Sequence, residues 1–574
     1  MKNNNIYFIF TLFACILQIS CGEKFLDRSP LDAISSDAYW KTPTDLEMYV
    51  NQFYTVFPNE TRNDDNLLDG NSDNLILVGF NSTLAGTRVV PASGGAWSSA
   101  WTNIRSVNYF IEHYPNVPAS FDLIKQFVGE AYFFRAYFYF SLVRDYGDVP
   151  WINKPLNDDS EELYMPRLSR SVVMDSIVAD LDKAITYMDS KGQGSASRLT
   201  SQVAKLFKSR VCLFEGTWER YHAGTPFGVT GSDGVKFLAL ARDAAMDLID
   251  DGLYDVYSQG TPDIDYFRLF GQDDYSNNPE VMLWKKWDES LGLVRWAPSI
   301  WGMGRGITKE LVDSYLCIDG KPISQSSLYG GDANLVDVVK NRDPRLAQSI
   351  WVPGDPINIM ADNDTTFFER ADIHQTGSYL CVTGYQLKKY ANCWGENLRL
   401  NYYQSQIGSI IFRYAEALLN YAEARAELGE ISQADLDLTI NKLRDRVGIA
   451  HLEVDNITFD PQWDYPDLSP LINEIRRERR VELAFEGLRL YDFLRWRSHH
   501  LIVNKRSLGA VFVQADFPEM VVGTNVYIDQ NGYIDAYQKS LPDGYGFKPD
   551  RDYLNPIPTL EMTLNKEYVQ NPNW

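Results

Sequence analysis

The spacing of apolar residues predicts a chain built mainly from helices. Between residues 122 and 143, two apolar stripes recur every three or four positions, so this predicted helix is apolar on nearly all sides. A helix of that kind must be buried on two faces. Gly147 and Pro150 are expected to end it, because glycine supports the turn after a helix and proline cannot continue one.

A second pattern predicts two helices joined by a short turn. Apolar residues recur at helical spacing from Ile411 to Leu428, and Gly429 is expected to end this helix. Ser432, followed by Asp435 three positions later, has the spacing of a helix-starting cap. The sequence therefore predicts an αα-hairpin in this region.

Further predicted helices alternate with long polar stretches. Ser469 and Pro470 are typical of a helix N-terminus, and this helix is expected to reach Gly487. Shorter amphipathic helices are predicted near residues 45–57, 169–188, 198–215 and 236–250. Loops rich in Gly, Asn, Asp and aromatic residues occupy residues 58–95, 257–310, 320–405 and 501–560. Loops this long in a compact protein are usually functional.

The first twenty residues have the pattern of an export signal. Lys2 precedes an apolar run at residues 6–17 that is too short to span a bilayer comfortably. A small residue, then Cys21, then glycine resembles the lipobox of bacterial lipoproteins, in which the cysteine thiol is acylated. We therefore expect a lipoprotein signal peptide at residues 1–20 and a mature body, residues 21–574, anchored by lipid on Cys21.

Two alternatives to a lipid anchor follow from the same residues. Gln18 stands where a lipobox usually has leucine, so plain secretion remains an alternative. A transmembrane helix is disfavoured, because polar residues 18–20 and the charged pair Glu23-Lys24 follow the apolar run directly.

Composition indicates a large globular body and argues against nucleic-acid binding. Hydrophobic residues make up 45% of the 574 residues, which is ample for a sizeable core. The formal net charge is −23, whereas a phosphate backbone is bound mainly through Lys and Arg. A strongly negative charge suits an extracellular protein that must stay soluble.

The cysteines and histidines do not indicate a metal site. Cys212, Cys317, Cys381 and Cys393 remain after the leader and Cys21 are set aside, and they form no CxxC pair. There is no HExxH motif either. We expect no cofactor, and the spacing does not decide whether Cys381 and Cys393 form a disulfide.

Ordered motifs along the mature chain carry a family resemblance. They include Glu130-Ala131 with Arg135-Ala136, Tyr146-Gly147-Asp148-Val149-Pro150, Asn341-Arg342-Asp343-Pro344-Arg345, Arg413-Tyr414-Ala415-Glu416, Glu478-Arg479-Arg480-Val481-Glu482-Leu483-Ala484-Phe485-Glu486-Gly487, Arg495-Trp496 and Gln570-Asn571-Pro572. In these motifs the chain resembles the SusD/RagB family of outer-membrane nutrient-binding lipoproteins.

The resemblance implies a mainly α fold, in which helix pairs resembling tetratricopeptide repeats carry long grafted loops. It implies ligand-binding insertions near residues 58–95 and 257–405. It also implies a non-enzymatic protein, anchored to the outer membrane and facing the exterior. That protein would capture oligosaccharides and pass them to a SusC-like TonB-dependent transporter.

The charged residues in these motifs are expected to be structural. Residues 478–495 carry many opposite charges within one or two helical turns, which favours i, i+3 and i, i+4 pairing. The same reading applies to Glu130, Arg135 and residues 342–345. Motifs that identify the family need not contact its ligand.

Two groups of residues are candidates for ligand contact, because sugars stack on aromatic rings and bind polar side chains. The first is the cluster Trp284, Trp287, Trp296 and Trp301. The second lies at and before a predicted helix and comprises Asp73, Asn74, Arg88 and Trp97. For any single Trp in the first group, packing beneath the loop is the alternative.

Two other functions remain open. A surface glycoside hydrolase would need two carboxylates facing each other across a cleft. The visible acid pairs are sequence neighbours in predicted loops, Asp64-Asp65, Asp158-Asp159 and Asp273-Asp274, and neighbours do not face one another. A peptide-binding lipoprotein of the RagB type is the other alternative, because aromatic-rich loops suit both kinds of ligand.

Overall fold

The computed structural model describes residues 39–58, 68–193, 197–293, 302–359, 365–374, 376–391 and 405–574. The described chain is mainly helical. Its helices are α1 (Pro43–Asn51), α2 (Gly95–His113), α3 (Phe121–Tyr146), α4 (Arg170–Tyr187), α5 (Ser201–Tyr221), α6 (Val235–Asp250), α7 (Asp265–Leu269), α8 (Lys309–Ser314), α9 (Leu335–Val339), α10 (Pro344–Ser349), α11 (Tyr414–Glu427), α12 (Gln433–Leu438), α13 (Ile440–Val447), α14 (Pro470–Glu482), α15 (Arg489–Arg495) and α16 (Thr559–Leu564). The strands are β1 (Leu75–Leu77), β2 (Val281–Lys285), β3 (Arg305–Ile307), β4 (Pro356–Ile359), β5 (Thr365–Phe367) and β6 (Ser409–Arg413).

Helices that follow one another in the chain pack side by side and form the scaffold. α3 lies between α2 and α4, and α5 packs against both α4 and α6. Phe134 and Tyr139 of α3 are fully buried, as expected of a helix covered on two faces. Gly147 ends α3 with φ +75°, and its N–H donates to the Val143 carbonyl at 2.9 Å. The prediction of a doubly buried helix ending at Gly147 is confirmed.

One helix contact in the scaffold depends on a glycine. α5 and α6 approach each other at Gly216, where a Cβ atom would lie 2.7 Å from the Leu238 nitrogen. Only a residue without a side chain allows that approach. α11 then packs on α5, α6 and α14, which links the N-terminal helices to the C-terminal half.

The predicted helix at residues 411–428 begins later than expected. Residues 409–413 form strand β6, which pairs antiparallel with β2, and α11 starts at Tyr414. Ile410, Ile411 and Phe412 fit a half-buried strand, because branched and aromatic side chains pack well on a pleated surface. The Ser432 cap is confirmed, since its hydroxyl accepts the Asp435 N–H and starts α12.

The helix expected to reach Gly487 also stops short. α14 ends at Glu482, and Phe485 adopts φ +65°. Its N–H donates to the Asp69 carboxylate at 2.8 Å, so a contact with a residue far away in the sequence replaces the helical hydrogen bond. The shorter helices predicted near residues 45–57, 169–188, 198–215 and 236–250 correspond to α1, α4, α5 and α6.

The long loops have an apolar core of their own and bring the two predicted ligand-binding insertions together. β1 pairs antiparallel with β3, which places Leu75 opposite Ile307. Both side chains are buried with Tyr266, Phe270 and Phe485 in a cluster separate from the main helical core. Residues near 75 and near 307 therefore belong to one packed unit.

Three sequence-based expectations concern cysteines or membrane contact. Cys381 is buried and has no disulfide partner among the described residues, whereas Cys393 and Cys21 lie outside them. The predicted signal peptide also lies outside the described residues. Among the helices that the structure describes, none is long and apolar enough to cross a membrane.

Candidate functional site

Trp284 lies in β2 and its ring is held by two neighbours. Its indole packs edge-to-face on Tyr275, with ring centroids 5.4 Å apart. On the paired side, Gly408 precedes β6, and a Cβ atom there would lie 2.7 Å from Trp284 Cε3. The glycine therefore leaves room for the ring. Trp284 remains half-buried.

Trp284 lines a cavity of about 190 Å³ between β2 and the helical scaffold. Two further rings, Tyr254 and Tyr275, line the same cavity. Its polar lining comes mainly from the connection between α4 and α5, including Asp189 and Lys191. Aromatic faces beside a few polar groups are typical of a small-molecule site.

Of the other tryptophans of the first candidate group, the structure describes Trp287. Trp287 follows β2, is half-buried, and donates its indole N–H to the Ser409 hydroxyl at 3.1 Å. Trp296 and Trp301 lie outside the described residues. A stacking platform formed by all four tryptophans therefore stays a prediction.

Three residues of the second candidate group are buried, contrary to the expectation that they contact ligand. Trp97 is 1% exposed, and its ring packs on Tyr146 at 5.0 Å. The Asp73 carboxylate accepts two hydrogen bonds from Arg489, each 2.7 Å long. The Asn74 amide donates to Asp69 at 3.0 Å. Contacts within the protein occupy these side chains, so they offer no open face to a sugar.

Arg88, the fourth residue of that group, joins distant parts of the chain. Its guanidinium contacts the Asp552 carboxylate at 3.2 Å and lies over the Trp574 ring, 5.1 Å from the ring centroid. It therefore fixes the loop before α2 to the C-terminal segment. Contact between Arg88 and a ligand stays a prediction.

An exposed apolar junction lies where the two predicted insertions meet. The Val78 N–H donates to the Gly304 carbonyl at 3.0 Å, and the Gly304 N–H donates to the Leu380 carbonyl at 2.8 Å. Val78, Phe80 and Tyr379, at or beside these bonds, are exposed by 63%, 36% and 46%. Phe80 and Tyr379 carry no signal in the sequence, because isolated aromatic residues in polar loops form no pattern.

The charged family motifs form a buried network around Glu482. Its carboxylate accepts hydrogen bonds from Arg446, Arg413 and Arg345 at 2.6, 2.7 and 2.9 Å. Burial raises the pKa of Glu482, but the three guanidinium charges outweigh this effect and hold the pKa well below its usual range. The structural role expected for these residues agrees with their burial.

The pairing pattern within this network differs from the expected one. Most pairs join separate elements, as in Arg495 with Glu423 at 2.7 Å, whereas Arg495 with Asp492 is an i, i+3 pair. The reason is burial. Charged side chains that face the core contact residues of the neighbouring helix rather than residues one turn away on their own helix. Helical spacing alone does not reveal such partners.

The acid pairs selected from the sequence are not placed across a cleft in the described residues. Asp158-Asp159 and Asp273-Asp274 are exposed neighbours, and Asp64-Asp65 lies outside the described residues. Within the described part of the chain, no group of three or more His, Cys, Asp or Glu residues is placed to hold a metal ion.

Two family models match the chain over complementary parts. The model described as the SusD family matches residues 282–574. The model described as starch-binding associating with outer membrane matches residues 24–213.

Individual relatives resemble the chain over nearly its full length. SusD-like protein P2 of Formosa agariphila is 23% identical over 591 aligned residues, which cover 100% of this chain and 99% of that protein. A crystal structure of a SusD-like carbohydrate binding protein from Bacteroides fragilis has a TM-score of 0.71 at 22% identity, covering 92% of this chain and 99% of that chain. A laminarin binding SusD-like protein has a TM-score of 0.56 at 20% identity, covering 93% and 100%. The two structures share this fold, and the match over residues 282–574 shows that the chain belongs to the SusD family.

Proposed function

We propose that this protein binds oligosaccharides or polysaccharide fragments at the outer membrane and delivers them to a SusC-like TonB-dependent transporter. The observation that carries the proposal is the aromatic cavity at Trp284 in a SusD-family fold. An indole face beside polar groups suits the apolar C–H face and the hydroxyls of a sugar ring. Relatives described as carbohydrate binding and laminarin binding support the ligand class.

The proposal includes anchoring and orientation. Cys21 carries the lipid, residues 1–20 are removed as a signal peptide, and the body faces the exterior, where glycans are captured. The family description as associating with the outer membrane supports this location. Two or more acyl chains are sufficient for stable membrane attachment.

The protein is proposed to bind its glycan without changing it. Two of the three acid pairs noted in the sequence, Asp158-Asp159 and Asp273-Asp274, are exposed neighbours and do not face one another across a cleft. Prolonged incubation of the purified protein with its glycan should therefore leave the chain length unchanged, as measured by chromatography. Shortened products that persist with a recombinant preparation of high purity would contradict a pure binding role.

A glycan array followed by isothermal titration tests the proposal. We expect Trp284→Ala to weaken binding of the identified glycan by about tenfold or more, which corresponds to ~1.4 kcal/mol. Trp463→Ala is the matched control, because Trp463 is also half-buried and donates one indole hydrogen bond, to Glu474 at 3.0 Å. If the protein binds peptides but none of the glycans, the proposed ligand class is refuted.

A further inference from the structure

Two oppositely charged residues line the Trp284 cavity from the loop between α4 and α5. The backbone N–H groups of Asp189 and Lys191 are held by two neighbouring helices. The Asp189 N–H donates to the Gln126 side chain at 2.7 Å, and the Lys191 N–H donates to the Gln202 side chain at 3.0 Å. Although the two residues lie in a loop, their positions are held by α3 and α5.

The side chains of these residues are not paired with each other. The Lys191 ammonium lies 3.8 Å from the centroid of the Tyr254 ring and donates to the Leu253 carbonyl at 2.9 Å. Among the described residues, no carboxylate forms an ion pair with it, and burial lowers its pKa. The Asp189 carboxylate likewise has no side-chain hydrogen bond or ion pair within the described part of the chain.

The other cation of the cavity is already neutralised. Arg198 contacts Glu130 at 2.5 Å and Asn51 at 2.8 Å. Asp189 and Lys191 therefore provide the available charges, and these two charges balance. A charged ligand would gain no net attraction from this balanced pair and would still lose hydration on entering the cavity, whereas sugar hydroxyls can donate to a carboxylate and accept from an ammonium.

The size of the cavity limits the ligand. About 190 Å³ is larger than a single water requires and smaller than the ~300–1,000 Å³ pockets that hold drug-sized ligands. A single sugar ring has a size between that of a water molecule and that of a drug-sized ligand. The half-buried Trp284 supplies aromatic surface for its apolar face, whereas Tyr254 and Tyr275 are 7% and 2% exposed and hold the wall behind it.

We infer that this cavity is a subsite for one uncharged pyranose unit of the glycan, in which Asp189 and Lys191 bind ring hydroxyls beside the Trp284 indole. The inference rests on the proposed glycan-binding function and adds a specificity to it. Neutral sugars are favoured over uronates and amino sugars, because the balanced pair does not offset the cost of desolvating a ligand charge.

The test compares Lys191→Met and Asp189→Asn with the wild type. Both residues lie in a partly exposed loop, and thermal melts should show native stability. Lys205→Met is the control, since Lys205 pairs with Asp251 at 2.8 Å and does not line the cavity. The ligands are the neutral oligosaccharides of a glycan array and two charged oligomers, oligogalacturonate and chitosan oligosaccharide, each titrated by calorimetry.

We expect the wild type to bind a neutral oligosaccharide at least tenfold more tightly than either charged oligomer. Each cavity variant should weaken neutral binding at least tenfold, and Lys205→Met should not. If both cavity variants keep wild-type affinity, or if a charged oligomer binds more tightly, the subsite is refuted while glycan binding stands. If no glycan on the array binds, both the subsite and the proposed function fail.

Discussion

Replacing Glu482 with glutamine tests whether the buried charge network stabilises the fold. The substitution keeps the shape of the side chain but removes the charge that faces Arg345, Arg413 and Arg446. Hydrogen bonds to charged groups contribute about 1.5–3 kcal/mol each, and glutamine retains one acceptor oxygen. Because the guanidinium charges stay buried, we expect a loss of about 3–5 kcal/mol in the free energy of unfolding.

Urea unfolding followed by circular dichroism measures this loss, with the denaturant slope expected to stay unchanged. Glu430→Gln is the matched control. Glu430 also contacts two arginines, Arg242 at 2.8 Å and Arg425 at 3.1 Å, but its side chain is 42% exposed. Exposed pairs contribute about 0–1 kcal/mol. If Glu482→Gln lowers the free energy of unfolding no more than Glu430→Gln does, the charge on Glu482 does not stabilise the fold.

Three further outcomes are expected. Burial raises the pKa of Glu423, but Arg495 outweighs this and lowers it to about 2 from an ordinary value of 4.5. The contribution of ionised Glu423 to the free energy of unfolding is therefore present above pH 4.5 and lost as the pH falls toward 2. The acid unfolding curve of Glu423→Gln should lack this pH-dependent loss. Cys21→Ala should move the protein from the membrane fraction to the soluble fraction, and retention after a salt wash would contradict lipid anchoring there. Gly408→Ala should displace the Trp284 ring, lower the free energy of unfolding by about 1–3 kcal/mol and weaken glycan binding. If the variant keeps wild-type affinity, the position of the ring does not matter for glycan binding.

The sequence predicts helices well where apolar periodicity and end signals agree. α3 has both, because its apolar stripes are followed by Gly147, and the structure ends the helix at that glycine. The segment at residues 409–413 has apolar residues at spacings that suit either a helix or a strand. Pairing with β2 decides between them, and β2 lies more than 120 positions earlier in the chain.

The candidate site was harder to predict, because residue type does not reveal burial or partners. Asp73 looks like a polar loop residue, yet Arg480 and Arg489, about 400 positions away, pair with it. Asp189 and Lys191 carry no signal in sequence, since nothing in their spacing connects them to Trp284. Only the tertiary arrangement shows that an unpaired acid and base share a cavity with an indole.

The side-chain contacts distinguish residues that attach the loops to the helices from residues that can bind a ligand. Asp69 accepts the Phe485 N–H, and Asp73 pairs with Arg489, so the loop around residues 69–73 is attached to the ends of α14 and α15. Substitutions in these attachments should lower stability first, because breaking a buried pair costs several kcal/mol. Substitutions of Asp189 or Lys191 should instead change affinity with little effect on stability, because these side chains have few internal partners. A comparison of melting temperature with glycan affinity for the two groups of variants therefore distinguishes a structural frame from a ligand site, and a parallel loss of both quantities in both groups would refute the division.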